Sequence, residues 1–251
     1  MRILILGGTS DANKIGSRLK LFNGLEVIIT TNSKHGKELA KNHCHKVVCR
    51  EESSETLGEI IVNNNIDIII DATHPFATNI SKKGMELSEK LNIPYIRYER
   101  PTRTYKGCIY VDNFKDACLT ALKLTDKNIM YCGGIKNLEN VVDIVGRDRV
   151  ICRVLPISVV RALKYLPSKN IIGMEGVFSK DLNKYLLMEY NCGVLITKDS
   201  GDSGGLEGKI FGALECGAVP IVVKRPKLNY NVVFDNIEDI VNYILDLRKN
   251  K

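Results

Sequence analysis

Short, unbroken apolar runs alternate along the chain with longer stretches whose apolar positions recur every three or four residues. The runs fall at residues 2–6, 26–31, 46–49, 66–71, 94–98 and 108–111, and again at 129–132, 150–155, 171–174, 193–198 and 219–224. A continuous apolar run suits a strand buried on both faces of a parallel sheet. The stretches at 12–22, 54–63, 79–91, 114–124, 138–145, 158–165, 180–190, 207–216 and 237–248 have the periodicity of helices that cover such a sheet. The pattern predicts an α/β protein of parallel sheets flanked by helices. Alternation pauses at the polar joint Asp126-Lys127-Asn128 and then restarts. This predicts two Rossmann-like lobes, residues 1–125 and 126–251, with a ligand cleft between them.

The first run ends at a glycine pair, in Ile5-Leu6-Gly7-Gly8-Thr9-Ser10-Asp11-Ala12. Gly7 and Gly8 permit a tight turn and close backbone approach, and Thr9, Ser10 and Asp11 are all good helix N-cap types. An anion is favoured at such a helix start by free N–H groups and the dipole. Aligned on Gly7, the dinucleotide pattern G-x-G-x-x-G/A is met at its first and last positions by Gly7 and Ala12, with Thr9 in place of the second glycine. The turn fits a nucleotide-phosphate site and also a plain strand-to-helix connection. The exit of the second strand offers Thr30, Thr31, Ser33 and Lys34 and no acid, which favours a phosphorylated ribose over a free one and hence NADP over NAD. An ordinary polar loop has the same composition.

The fourth run ends in Asp71-Ala72-Thr73-His74-Pro75. Ligands of parallel sheets bind at the carboxyl ends of strands, so Thr73 and His74 should face the same crevice as Gly8, with His74 as a ligand contact rather than a proton donor. His35, His43 and His45 lie in a polar loop region without metal-ligand context. Arg97 and Arg100 are expected on opposite faces, one pairing with Glu99 or another acid and the other reaching a ligand carboxylate. In the second lobe a buried strand ends at Lys198 in a loop rich in Ser, Asp and Gly. Lys198, Ser200, Gly201 and Lys209 make a candidate anion cradle, without the G-K-[ST] ending of a Walker loop.

Composition narrows the classes. The 251 residues, 44% of them hydrophobic, suffice for two cores. Eight cysteines carry no C-x-x-C pair or framework spacing, which suits buried thiols in a reducing cytosol better than disulfides or zinc. No run has the length of a membrane span or the flanks of a signal peptide, so a soluble cytoplasmic protein is expected. The net charge of +7 is spread along the chain, and tryptophan is absent. Few aromatics remain to stack bases, so an anionic small molecule accounts for the charge better than nucleic acid.

Several segments together resemble the precorrin-6A reductase family of cobalamin biosynthesis, including its cobalt-precorrin-6A branch. They are the glycine turn, Asp71-Ala72-Thr73-His74-Pro75-Phe76-Ala77, Tyr95-Ile96-Arg97-Tyr98-Glu99-Arg100-Pro101, Arg153-Val154-Leu155-Pro156, Ile196-Thr197-Lys198-Asp199-Ser200-Gly201 and Pro220-Ile221-Val222-Val223-Lys224-Arg225-Pro226. They lie in the expected order over nearly the whole chain. The chain departs from the family pattern in two places: Arg103 and Tyr105 occupy the region where an aromatic, often Trp, is common, and Asp199 stands where Asn is usual. The resemblance implies NADPH-dependent reduction of a ring double bond in a polycarboxylated corrin precursor. It further implies Gly7, Gly8, Thr9 and Ser10 at the pyrophosphate, Thr31, Ser33 and Lys34 at the ribose phosphate, and Thr73 and His74 at the wall of the cofactor site. Lys198, Ser200, Gly201 and Lys209 would meet the substrate or the far end of the cofactor, Arg100 would meet a substrate carboxylate, and no residue is assigned as proton donor.

Two alternatives compete. A non-catalytic NADP-binding sensor would use the first lobe alone for the cofactor and the second for a partner. A short-chain-type reductase would carry a Tyr-x-x-x-Lys pair, but Tyr185 is followed by Glu189 and Tyr243 by Leu247.

Overall fold

The computed structural model describes residues 1–249, the side chain of Asp202 excepted; Asn250 and Lys251, the end of the expected second lobe, lie outside them. The apolar runs form parallel strands, as their continuity predicts. In chain order the first elements are β1 (Arg2–Leu6), α1 (Ser10–Lys20), β2 (Glu26–Thr31), α2 (Lys34–Ala40), β3 (Lys46–Cys49), α3 (Leu57–Asn63), β4 (Ile68–Asp71), α4 (Thr78–Leu91) and β5 (Tyr95–Tyr98). There follow β6 (Ile109–Val111), α5 (Phe114–Leu124), β7 (Asn128–Cys132), α6 (Leu138–Val145), β8 (Val150–Val154), α7 (Val159–Ala162) and β9 (Ile171–Gly173). The last are α8 (Lys180–Glu189), β10 (Cys192–Lys198), α9 (Leu206–Glu215), β11 (Val219–Val223), β12 (Val233–Phe234) and α10 (Ile237–Lys249).

One six-stranded sheet has the order β12-β5-β4-β1-β2-β3 and the other β6-β11-β10-β7-β8-β9, and every pairing is parallel. Each sheet runs outward from its central strand (β1 or β7) for two strands and then returns to that strand's other side (β4 or β10). The reversal makes a topological switch point at the carboxyl ends of β1 and β4, and a second at those of β7 and β10. In β1, Ile3, Leu4, Ile5 and Leu6 are all completely buried. Ile3 and Ile5 face Ile15 and Leu19 of α1 and Ile240 and Ile244 of α10, whereas Leu4 and Leu6 face Leu57, Ile60 and Ile61 of α3. Two-sided burial is what an unbroken apolar run requires.

The chain divides into one unit of Met1–Pro101 with the segment from Lys227 on, and another of Thr102–Pro226. This differs from the expected halves, 1–125 and 126–251. Edge-strand pairing is the reason. Ile109 and Tyr110 of β6 pair with Ile221 and Val222 of β11, so the segment before the polar joint completes the second sheet. Val233 and Phe234 of β12 pair with Arg97 and Tyr98 of β5, and α10 buries Ile240, Val241 and Ile244 in the first core. Helix α2 was also not expected. Its sequence Lys-His-Gly-Lys-Glu-Leu-Ala has too few apolar positions to show a period, and Ser33 starts it by accepting from Gly36 N–H at 3.1 Å.

Candidate functional site

In the first unit the glycine turn sits at the switch point. Gly7 N–H donates to Thr30 O at 2.9 Å, and a Cβ on Gly7 would lie 2.6 Å from Ile29 Cγ2 and 2.7 Å from Thr30 O. Only glycine lets the turn lie this close to β2. Gly8 has φ +91°, and nothing stands within 4 Å of where its Cβ would be. The backbone here is left-handed and faces open space, as a site for a bulky phosphate group requires. Thr9 caps α1: its Oγ1 accepts from Ala12 N–H at 3.1 Å and donates to Ala72 O at 2.7 Å. That second bond ties the turn to the end of β4 and so brings Gly7, Gly8 and Thr9 together with Thr73 and His74. Ser10, the first residue of α1, is exposed.

Thr73 and His74 serve mainly internal bonds. Thr73 is buried, and both its N–H and its Oγ1 donate to Asp71 Oδ1, at 2.9 and 2.6 Å. Its Oγ1 also accepts from Arg97 at 3.2 Å. His74 Nδ1 accepts from Phe76 N–H at 3.2 Å, which fixes the turn and makes Nδ1 the unprotonated nitrogen. Asp71 is completely buried and is met by Arg97 at 2.9 Å and by the Tyr95 hydroxyl at 2.6 Å. Burial and the adjacent carboxylate push the Tyr95 phenol well above its usual range, so it remains a donor. Arg97 also reaches Glu99 at 2.9 Å and lies over the Tyr230 ring.

Arg100 departs from its expected role. It is buried and its Nε donates to Asp11 in the first turn of α1, so both arginines of this segment pair with acids of the same unit. Spacing identified the arginines but not Asp11, whose carboxylate approaches from a distant part of the chain.

At the exit of β2, the Thr31 hydroxyl is buried against Ser33 O, and the Ser33 hydroxyl caps α2. Lys34 is exposed, but its backbone N–H donates to Glu51 at 3.1 Å. The acid-free exit read from residues 30–34 therefore acquires acids from the segment after β3, where Glu52 pairs with Lys37. The same segment supplies Arg50, exposed, whose N–H donates to Thr31 O at 2.9 Å. Arg50 is a candidate phosphate contact that local reading missed, because only β2–β3 pairing places it there.

The second unit repeats the arrangement with a different lining. A Cβ on Gly133 would lie 2.5 Å from the Tyr131 ring, and Gly134 has φ +82°. Here the space over the second glycine is not open: Lys198 Nζ lies 3.7 Å from where a Gly134 Cβ would be and 5.9 Å from the Phe114 ring centroid. The loop after β10 folds back on itself, with Ser200 N–H to Lys198 O at 2.8 Å, Gly204 N–H to Gly201 O at 3.0 Å and Lys209 Nζ to Gly204 O at 2.7 Å. These bonds hold Lys198, Ser200, Gly201 and Lys209 at the carboxyl end of this sheet. Burial and the charges of Lys136 and Lys209 bring the Lys198 ammonium down to about 8. Burial brings Lys209 down to about 8 as well, with the Arg153 charge adding to the shift and Cys132 opposing it. Asp199, the position that departs from the family pattern, pairs with Arg225 at 3.2 Å. Arg153 and Thr197, quoted in the family-like segments without a site role, belong to this end of the sheet, as does Lys136, which lies beside a stretch read only as helix.

Among the described residues no cluster of metal-ligating side chains occurs, and no helix is long and apolar enough to cross a membrane. The model of the precorrin-6x reductase CbiJ/CobK family matches residues 2–245. The chain is 50% identical to cobalt-precorrin-6A reductase of Methanococcus maripaludis, covering 97% of this chain and 99% of that one. It is 47% identical to cobalt-precorrin-6A reductase of Methanocaldococcus jannaschii over 99% of this chain and 100% of that one. A solved structure of CobK precorrin-6A reductase superposes with a TM-score of 0.75 at 19% identity, over 98% of this chain and 96% of that one, and so shares the fold. With a match that begins in the first strand and runs into the last helix, the chain belongs to the precorrin-6x reductase CbiJ/CobK family.

Proposed function

We propose that this protein reduces a ring double bond of cobalt-precorrin-6A, giving cobalt-precorrin-6B, with NADPH as the hydride source. The observation that carries the reading is the contrast between the two glycine pairs. Gly8 faces open space, whereas a lysine ammonium stands over Gly134. The first suits a pyrophosphate laid against the start of α1. The second suits the carboxylates of a polyanionic macrocycle.

When bound, NADPH supplies the hydride, and the chain's residues position it and the pigment. Gly7 and Gly8 let the backbone approach the pyrophosphate, and Ser10 meets it at the first turn of α1. Thr9 acts through shape, holding the turn against Ala72. Thr73 and His74 form a rigid wall, because the Thr73 hydroxyl is held by Asp71 and Arg97 and His74 Nδ1 by the Phe76 N–H. Lys34 and Arg50 receive the ribose phosphate, and Glu51 must release the Lys34 N–H for it. Lys198 and Lys209 hold substrate carboxylates, and Ser200 and Gly201 shape their loop.

Anaerobic turnover tests the reading: cobalt-precorrin-6A and its metal-free counterpart are each followed by NADPH absorbance and pigment spectrum together, with NADH as control. NADPH loss matched by a pigment change, faster with the cobalt form, is expected. If NADPH binds and neither spectrum changes, the protein is an NADP-binding sensor instead.

A further inference from the structure

Away from the glycine turn, the first unit holds a cavity of about 570 Å³ at the amino end of β5. The end of α4 opens onto it, and the segment 229–232 leading into β12 and Tyr243 of α10 complete its lining. The volume lies within the range of small-molecule sites. Its walls are held by bonds of their own. Asn92 ends α4 in the left-handed conformation, at φ +52°, Ile93 N–H returns to Ser88 O at 2.9 Å, and the Ser88 hydroxyl donates to Ile93 O. The Tyr95 hydroxyl is held by Asp71, and its ring stacks on Tyr230 with the two planes 8° apart. A cavity with such walls is formed before a ligand arrives, which lowers the cost of binding one.

The lining is opposite in charge to the protein as a whole. The chain carries a net charge of +7, yet among the described residues that line the cavity Glu89 is the one charged group. Lys90, the base of the last turn of α4, is not part of the lining. Among the described residues the Glu89 carboxylate has no ion pair, and the side-chain amides of Asn92, Asn229 and Asn231 and the Tyr243 hydroxyl are likewise unengaged. The carboxyl end of α4 adds partial negative charge from the carbonyls of its last turn. Met85, Pro94 and Val232, with the rings of Tyr95 and Tyr243, supply apolar surface beside these polar groups. An anion would meet only like charge here. A cation on an apolar body meets an opposite charge, hydrogen-bond acceptors and a surface to cover.

We propose that this cavity binds a small organic amine, whose ammonium group pairs with Glu89 and whose apolar body lies against Pro94, Tyr95 and Tyr243. The three hydrogens of an ammonium group suit the carboxylate together with asparagine carbonyl oxygens, and a tyrosine ring face also attracts a cation. The site does not rest on the reductase reading: it lies at the other end of β5 from the switch point, and its ligand is opposite in charge to the cofactor and pigment proposed above.

The test uses the full chain and three probes of similar shape, each titrated by calorimetry: tyramine, its neutral counterpart 4-ethylphenol and its anionic counterpart 3-(4-hydroxyphenyl)propionate. Saturable binding of tyramine is expected, tighter than that of 4-ethylphenol by about fivefold, as one solvent-screened charge contact allows, and the propionate should not bind. Glu89→Gln should bring tyramine to the level of 4-ethylphenol. Because Glu89 is exposed and unpaired, that variant should keep the parent melting temperature. Asn231→Trp, which fills the cavity from an exposed position, should abolish binding of both probes and serves as the second variant. Tyramine binding that neither variant changes overturns the placement in this cavity. Propionate binding as tight as that of tyramine overturns the amine assignment, and no binding of any probe overturns the site.

Discussion

Arg100 donates its Nε to the carboxylate of Asp11, joining the segment after β5 to the first turn of α1 across 89 positions of sequence. Both groups are buried, at 9% and 3% exposure, directly behind the glycine turn. An acid in this position would repel a pyrophosphate, and the guanidinium cancels it. Removing one partner strands the other charge, so Arg100→Met should cost about 3–5 kcal/mol of stability. Asp11→Asn combined with Arg100→Met should cost clearly less, and NADPH affinity should fall further in the single Arg100 variant than in the double one. Denaturant unfolding and fluorescence titration of NADPH check both. Equal losses in the single and double variants would mean that the pair does not act as a unit.

The two glycines of the first turn should fail differently. In Gly7→Ala the methyl group meets Ile29 and the Thr30 carbonyl oxygen, so β1 and β2 must separate and both stability and cofactor binding fall. In Gly8→Ala there is room for the methyl, but the left-handed backbone costs about 1–2 kcal/mol. The added methyl also enters the open space proposed for the cofactor phosphate. Gly8→Ala should therefore lose NADPH affinity out of proportion to its modest loss of melting temperature.

Discrimination between NADPH and NADH should rest on Lys34, Arg50 and Glu51. Lys34→Glu should weaken NADPH far more than NADH, and equal loss for both would remove Lys34 from the phosphate site. Glu51 competes with an incoming phosphate for the Lys34 N–H, so Glu51→Gln should tighten NADPH several-fold and leave NADH nearly unchanged. Isothermal titration with both cofactors reads both variants.

What was legible in the sequence follows from what is local. The apolar run of β1 and its glycine stop showed strand, turn and helix, because burial on two faces and a left-handed Gly8 leave marks on adjacent residues. Lys198, Ser200, Gly201 and Lys209 were also recognisable, as a strand end leading into a Gly- and Ser-rich loop. Partners from elsewhere in the chain were hidden. Asp11 takes Arg100 from its expected ligand, Glu51 reaches Lys34, and β6 and β12 each join the sheet that their neighbours in sequence do not suggest. Strand pairing decides each of these, and a single chain read in order does not display it. Thr73 and His74 show the same limit: their place after β4 was readable, but not that Asp71 and the Phe76 N–H already occupy the Thr73 hydroxyl and His74 Nδ1.

The cationic switch point of the second unit sets a pH dependence. Lys198 and Lys209 both lose their proton near pH 8, instead of above 10, because burial and neighbouring positive charges disfavour the ammonium form. Below that pH both are charged and attract carboxylates; above it both become neutral and the attraction is lost. Macrocycle affinity should thus be highest at pH 7 and fall between pH 8 and 9.5, by roughly fivefold for each lysine if each charge contributes about 1 kcal/mol. An anion in turn stabilises the ammonium and raises its midpoint, so binding at pH 8.5 should take up protons from the buffer. Calorimetric titration of the pigment in two buffers of different ionisation enthalpy measures that uptake. Lys198→Met and Lys209→Met should each reduce it, whereas NADPH, proposed to bind the first unit, should bind with little change over the same range. A pigment affinity that stays level from pH 7 to 9.5 would place the substrate carboxylates on other groups.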